Sequence, residues 1–125
     1  MGDLRPTLTV GLDRQGLEPA GQALVALAVR DLRGAALPAL YQSGVRYRRE
    51  PPGQEVWQLP HQTMALGYGD CEDLASWRVA ELRIAGENAK LVFRRSGRRL
   101  WHALVRRGNG ELEDPSKILG MKGAA

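Results

Sequence analysis

A short segment, Gly69-Asp70-Cys71-Glu72-Asp73, predicts where one helix of the chain must begin. Its glycine breaks the preceding structure, its first aspartate is a suitable N-cap, and two further acids follow where the helix dipole favours negative charge. Apolar residues then recur at helical spacing, so we predict a helix over residues 71–85 that Gly86 ends. The helix starts at the only cysteine, in a position where a thiolate is least costly to form.

Strand-like segments follow this helix. Residues 89–94 and 100–106 are separated by a Ser96-Gly97 turn, which is typical of a hairpin. A second turn at Gly108-Asn109-Gly110 leads to a third strand at residues 112–114. This order predicts an α+β fold in which the cysteine-bearing helix packs on a small antiparallel sheet.

The first 53 residues are predicted to form an N-terminal strand and helix region, and residues 54–125 the core of the same single domain. The predicted elements are a strand at 7–12, a turn at 13–16, a helix at 19–32 stopped by Gly34, a helical piece at 37–41 and a strand at 45–48. Pro51-Pro52-Gly53 breaks the chain. Residues 54–68 are predicted to be irregular, anchored by Trp57, Leu59, Met64 and Leu66.

Composition excludes several classes of protein. A chain of 125 residues with 43% hydrophobic residues suits one modest core. We see no apolar run long enough to span a membrane and no signal-peptide pattern. A single cysteine excludes an internal disulfide and fits a reducing compartment, and with only two histidines a structural zinc site is not expected.

The chain is basic, with a net charge of +4 and 15 arginines against 3 lysines. Arginine pairs occur at residues 48–49, 94–95, 98–99 and 106–107, and such pairs can meet phosphates. Neighbouring residues of a strand point to opposite faces, which would split most of these pairs. Since no binding motif accompanies the charge, nucleic acid is not the expected partner.

Three residues in order, Cys71, His102 and Asp114, form a candidate nucleophile, base and orienter. His102 lies on the middle predicted strand and Asp114 on the next, and adjacent antiparallel strands can bring them side by side. The histidine would then take the thiol proton and later protonate a leaving amine, while the aspartate would stabilise the imidazolium.

Each of the three residues also has a simpler interpretation. A lone cysteine is usually a small core residue, a strand histidine is usually structural, and an aspartate before proline is a common turn residue. Their combination on a helix start and two strands favours catalysis. One observation opposes it, because Asp70, Glu72 and Asp73 would raise the pKa of the thiol unless they are paired or point away.

The segments Gly69–Ala75, Trp101–Val105 and Glu113–Ser116 together resemble the transglutaminase-like superfamily of papain-fold enzymes, over residues 57–121. The Asp-Cys-Glu-Asp core is more specifically similar to bacterial transglutaminase-like cysteine proteinases. The resemblance implies a papain-like fold, a Cys71–His102–Asp114 triad and acyl transfer through a thioester. It therefore implies a cysteine peptidase or amidase acting on a protein or peptide substrate.

The resemblance also bears on the surroundings of the thiol. It implies that Asp70 and Glu72 take part in calcium binding, although first-turn acids that cap the helix are the simpler interpretation. Oxyanion donors are expected from the Cys71 backbone and a side chain of the preceding loop, with Gln62, Trp57 and Gln58 as candidates. His61 is expected to have no catalytic part.

A structural or adaptor protein that retains the fold without catalysis is the competing hypothesis. The chain is short for the family, and small proteins of this type resemble parts of phage assembly modules. A larger protein assembly is then a candidate partner, and the expected location is the cytoplasm, or a virion if the chain derives from a phage. A basic nucleic-acid-binding module is the third and weakest hypothesis.

Overall fold

The computed structural model describes residues 14–49, 56–96 and 100–122. The strand predicted at residues 7–12, the breaker at 51–53 and Gly97 of the predicted hairpin turn lie outside this part. Within it the chain is a mixed α+β structure, as predicted.

Five helical elements and five strands make up the described part. The helices are α1 (Arg14–Gly34), a 3-10 turn (Leu40–Gln42), α2 (Pro60–Leu66), α3 (Cys71–Ile84) and α4 (Pro115–Ile118). The strands are β1 (Arg46–Tyr47), β2 (Tyr68–Gly69), β3 (Lys90–Ser96), β4 (Leu100–Arg106) and β5 (Leu112–Glu113). The predicted helix at 71–85 and the hairpin strands are thus found within one or two residues of their expected bounds.

The three later strands form an antiparallel sheet in the order β3-β4-β5. In its register Arg94 lies opposite His102, and Val105 lies opposite Glu113. This register places the residue after Glu113 level with the middle of β4. A separate parallel pair joins β1 to β2, immediately before the cysteine helix.

α3 packs against β4 through small and branched apolar side chains. Ala75 and Val79 of the helix share a buried cluster with Ala103 and Val105 of the strand, and Cys71 belongs to the same cluster. Burial of apolar area at about 25 cal/mol per Å² makes such a cluster the main stabilising contribution of this layer. The packing therefore sets the first turn of α3 beside the middle of β4.

α1 begins earlier than predicted, so the turn expected at residues 13–16 is wrong for its last three residues. Leu17 is 7% exposed and packs with Leu24 and Trp57, which extends the apolar face of the helix by two turns. Pro19 is the sixth residue of the helix, in its second turn, so the helix lacks one backbone hydrogen bond there. Gly34 is the last helical residue, as expected.

The prediction that residues 54–68 are irregular is wrong for the segment that forms α2. Pro60 occupies the first turn, and the side-chain oxygen of Gln62 accepts a hydrogen bond from the Leu59 N–H at 2.8 Å. Gly67, at φ +83°, ends the helix in the left-handed conformation. Leu66 is 42% exposed, so it is not the buried anchor that we expected.

The remaining differences concern short elements. The helical piece expected at 37–41 is a 3-10 turn at Leu40–Gln42, and the strand expected at 45–48 is reduced to Arg46–Tyr47. The last strand ends at Glu113, and Asp114 instead caps α4, which we did not predict. In the part of the chain that the structure describes, no helix is both long and apolar enough to cross a membrane.

Candidate active site

The start of α3 is fixed by a reciprocal set of hydrogen bonds. The Asp70 carboxylate accepts from the Cys71 N–H at 2.7 Å, and the Asp73 carboxylate accepts from the Asp70 N–H at 3.0 Å. The second oxygen of Asp73 accepts from the Gln58 N–H at 2.7 Å, so the preceding loop is tied to the same turn. This arrangement is a capping box in which two acids satisfy the first free N–H groups of the helix.

Glycine is required at position 69 because side chains of α2 and α3 lie very close to its backbone. A Cβ at this position would lie 3.0 Å from both Asp73 Cβ and Thr63 Cγ2. Any side chain would therefore push α2 and the first turn of α3 apart. The residue that we interpreted as a helix breaker allows the two helices to meet in front of the thiol.

His102 and Asp114 are brought together as the sequence predicted. His102 Nε2 lies 2.9 Å from Asp114 Oδ2, and both side chains are largely buried. The other oxygen of Asp114 accepts from the Lys117 N–H at 3.3 Å as the N-cap of α4. With Nε2 bonded to the carboxylate, Nδ1 is the ring nitrogen left for a second partner.

Cys71 lies beside the middle of β4 and is 8% exposed. It packs with Ala103, the residue after His102, and a backbone hydrogen bond from Ala103 acts to lower the pKa of the thiol. The thiol itself donates to Glu72 Oε2 at 3.1 Å. The structure thus brings the sulfur to the strand that carries the imidazole, but its side-chain hydrogen bond goes to the neighbouring acid.

Burial and the adjacent acids hold the thiol in its protonated form. Burial raises the pKa of Cys71 well above its ordinary value, and the charges of Glu72 and Asp70 raise it further. The Ala103 hydrogen bond acts in the opposite direction. Burial likewise raises the pKa of Glu72, with Asp73 and Asp70 adding to the effect. The tension between capping acids and thiolate that the sequence indicated is therefore present in the folded site.

Tyr47 is a neighbour of the site that the sequence did not identify. Burial, followed by the charges of Asp70 and Cys71, raises the pKa of its phenol to about 12. It is a neutral hydroxyl at ordinary pH, and it packs on the cluster that contains Cys71. In the sequence, Tyr47 alternates with arginines over residues 45–48. This pattern predicts a strand, but it does not show which way the aromatic ring points.

The expected oxyanion donors already have structural contacts. The Cys71 N–H is bonded to Asp70 Oδ1. Gln58 is 1% exposed, and its amide nitrogen donates to Thr63 Oγ1 at 3.0 Å and to the Tyr68 carbonyl at 3.2 Å. Gln62 caps α2 with its oxygen. Trp57 stacks on Phe93 with ring centroids 6.4 Å apart.

The side chains of Asp70, Cys71 and Glu72 offer ligand atoms within 4.8 Å of one another, and all three residues are buried. Two carboxylates fit calcium in kind, since calcium prefers oxygen ligands. The thiol is a soft ligand that calcium does not favour, and the two acids alone supply fewer than the six to eight oxygens that calcium takes. The two carboxylates are suitable calcium ligands, but they are too few to form a complete calcium site.

His61 lies apart from these residues. Its backbone N–H donates to Asp31 Oδ2 at 2.8 Å, and its ring nitrogen also contacts that carboxylate. The pair joins α2 to α1 on the exposed surface. These contacts give the histidine a structural role.

Neither a protein-family model, a curated protein nor a solved structure matches this chain. The resemblance to transglutaminase-like enzymes therefore depends on the motif residues of the sequence.

Proposed function

We propose that the chain is a cysteine-dependent acyl-transfer enzyme with a papain-like fold, a peptidase or amidase of the transglutaminase-like type. The observation that supports this most directly is the 2.9 Å contact between His102 Nε2 and Asp114 Oδ2, on the strand against which the helix-start Cys71 packs. A histidine oriented by a carboxylate is the arrangement that activates a nucleophile.

In the proposed reaction the thiol proton passes to His102 Nδ1, and Asp114 stabilises the resulting imidazolium. The thiolate attacks the carbonyl carbon of an amide, the C–N bond breaks, and His102 returns the proton to the departing amine. Water, or a second amine, then releases the acyl group from Cys71. Release of the acyl group by water and release by a second amine both balance in atoms, so the same site could carry out hydrolysis or amine transfer.

The resting hydrogen bonds must rearrange before this reaction. The thiol has to leave Glu72 for His102, and the Cys71 N–H has to leave Asp70 before it can stabilise an oxyanion. Positive charge near the two acids favours both changes. If calcium is bound, the Asp70 and Glu72 carboxylates would hold it, and it would supply that charge.

The test is the rate at which iodoacetamide alkylates Cys71 across the pH range. We expect part of the alkylation rate to depend on the imidazole of His102. His102→Ala should therefore slow alkylation near neutral pH by about tenfold. His61→Ala is the matched control, because His61 contacts Asp31 and not the thiol. If wild-type Cys71 reacts no faster than an unactivated thiol of equal exposure and His102→Ala changes nothing, the catalytic proposal fails.

A structural or adaptor role is the second candidate, and one observation favours it. Both reactive groups of Cys71, its S–H and its N–H, are bonded to acids in the folded protein. A site without catalytic activity would keep both of these hydrogen bonds. A peptidyl electrophile that labels Cys71 covalently in the wild-type chain, but not in His102→Ala, would exclude this role.

A further inference from the structure

A groove of about 620 Å³ follows one side of β3, at a distance from the candidate active site. Arg83 in the last turn of α3 lines it, and this residue lies about 18 Å along the helix axis from Cys71. Four consecutive residues of β3, Lys90 to Phe93, also line it. Since successive side chains of a strand point to opposite faces, a groove that touches all four includes both faces at the strand's edge. On one face it also extends across the end of the sheet to Arg106 of β4 and Leu112 of β5.

This edge of β3 is open in the described sheet. Among residues 14–49, 56–96 and 100–122, the only strand that pairs with β3 is β4. Alternate N–H and C=O groups of this seven-residue strand therefore face away from β4. Such an edge is a template for an additional strand, which can satisfy these groups by main-chain hydrogen bonds.

The groove carries more positive than negative charge. Lys90 lies directly opposite Arg106 in the register of the sheet, and like charges in directly opposite positions are destabilising. Neither residue takes part in an ion pair within the described part of the chain. With Arg83 there are three cations against the single acid Glu18 among the described lining residues. This excess favours an anionic occupant.

The two faces of the edge differ in chemistry. Leu91 and Phe93 point toward α1, where they contact the position of Gly21, and they form an apolar wall with Val25. Lys90 and Arg106 belong to the opposite face, together with the apolar Val92 and Leu112. A strand laid along β3 would therefore place one set of side chains against the apolar wall and the alternate set beside the cations.

We propose that this groove binds an extended, acidic segment of a protein partner, which adds to the sheet as a strand along β3. The preferred segment alternates acidic and apolar residues, matching the charged and apolar faces of the edge. The site is separate from Cys71 and does not depend on catalysis. It is a docking surface for a protein partner.

The experiment measures fluorescence anisotropy of a labelled peptide of alternating Glu and Val against the full chain carrying Cys71→Ala. We expect saturable binding that weakens by about tenfold or more in the double variant Lys90→Glu, Arg106→Glu. The matched control is Arg30→Glu with Lys122→Glu, which makes the same change of net charge at exposed residues outside the groove and should bind normally.

Two further peptides separate strand addition from simple charge attraction. A peptide N-methylated at alternate residues keeps its charge but loses the main-chain donors, so we expect its binding to be lost. A peptide of alternating Lys and Val should not bind. Equal binding of either peptide would overturn the proposal. It would also be overturned if a single-stranded oligonucleotide displaced the Glu and Val peptide at equal concentration, because the groove would then be a phosphate-binding surface.

Discussion

At the scale of single residues, Cys71 is held in a protonated resting state by its own helix start. Asp70 and Glu72 flank it in sequence, and each accepts a hydrogen bond from it, one from the N–H and one from the thiol. Burial contributes most to the raised pKa, and the two carboxylates add to it. The reactivity of the thiol should therefore respond to changes at its neighbours as well as at His102.

Glu72→Gln should make Cys71 more reactive. The change removes the nearest negative charge, which is the largest contribution to the raised pKa after burial, so the thiolate fraction at a given pH increases. We expect alkylation at pH 8 to accelerate by at least about threefold, and the rate profile to move to lower pH. Glu111→Gln, at an exposed position, should leave the profile unchanged. An unchanged profile in Glu72→Gln would show that Glu72 does not control the thiol.

Asp114 has two roles that substitution can separate. It contacts His102 with one oxygen and caps α4 with the other. Asp114→Asn retains a good N-cap and removes the charge, so imidazole-dependent alkylation should fall while the free energy of unfolding changes by less than about 0.5 kcal/mol. Asp114→Ala should lose the same alkylation and about 1 kcal/mol of stability. Denaturant unfolding and alkylation rates measure the two effects, and equal stability losses in both variants would contradict this division.

At the scale of elements, α1 and β3 approach closely because Gly21 has no side chain. A Cβ at this position would lie 2.8 Å from Phe93 Cε2 and 3.0 Å from Leu91 Cδ2. The glycine allows the helix to rest directly on the two apolar residues of the strand. It therefore sets the depth of the apolar wall beside the edge of β3.

Gly21→Ala tests this close approach. Alanine favours a helix by about 1 kcal/mol over glycine, but overpacking costs about 1–3 kcal/mol, so we expect a net loss of unfolding free energy. Gly34→Ala is the matched control in the same helix, since a Cβ there meets nothing within 4 Å. It should be neutral or stabilising. A stabilised Gly21→Ala variant would show that the helix can shift away from Phe93 without cost.

Helices and strands with local signals were predictable from the sequence, and those that depend on distant contacts were not. α3 has its N-cap at Asp70 and ends just before Gly86, and the Ser96-Gly97 turn signal separates the two hairpin strands, so their bounds were close to those observed. α2 has only seven residues, too few for a periodic pattern to stand out, although Pro60 and Gly67 mark its ends. The two-residue strands exist only because partners from elsewhere in the chain supply their hydrogen bonds.

The candidate site divides in the same way. The pairing of His102 with Asp114 follows from strand order and a tight turn, both of which are legible in the sequence. The hydrogen bond from the thiol to Glu72 depends on side-chain rotamers and burial, which tertiary packing decides. Sequence spacing therefore predicted the contact between His102 and Asp114. It could not show that the thiol of Cys71 bonds to Glu72.

At the scale of the whole molecule, a network of ion pairs joins the end of α3 to the sheet. Arg107 contacts Glu87 at 2.6 Å and Glu113 at 2.8 Å, and Arg78 of α3 contacts Glu113 at 2.7 Å. Hydrogen bonds from Arg107 lower the pKa of Glu87 to about 2. The pKa of Glu113 is also lowered, because hydrogen bonds from Arg78 and Tyr41 outweigh the opposing effect of its burial.

This network makes stability depend on pH in the acidic range. A carboxylate with a lowered pKa in the folded state stabilises it above the unfolded pKa of about 4.3, and the contribution is lost as pH falls toward about 2. Arg107→Gln should therefore be less stable than wild type at pH 7, with the difference shrinking between about pH 4.3 and 2. Urea unfolding at pH 7, 4 and 2 measures this, and Arg106→Gln is the control without an ion pair. A pH-independent difference would contradict the role of the carboxylates.

The contacts of Glu113 influence the position of Asp114, the residue that follows it. Tyr41, Arg78 and Arg107 all hold its carboxylate, and the very next residue is the one that contacts the imidazole. A strand of two residues would be too short to fix that residue alone. The three side chains that hold Glu113 therefore also help to fix Asp114 and, through it, the orientation of the His102 ring. A substitution at the tyrosine or at either arginine should disturb the contact between His102 and Asp114 without touching either residue.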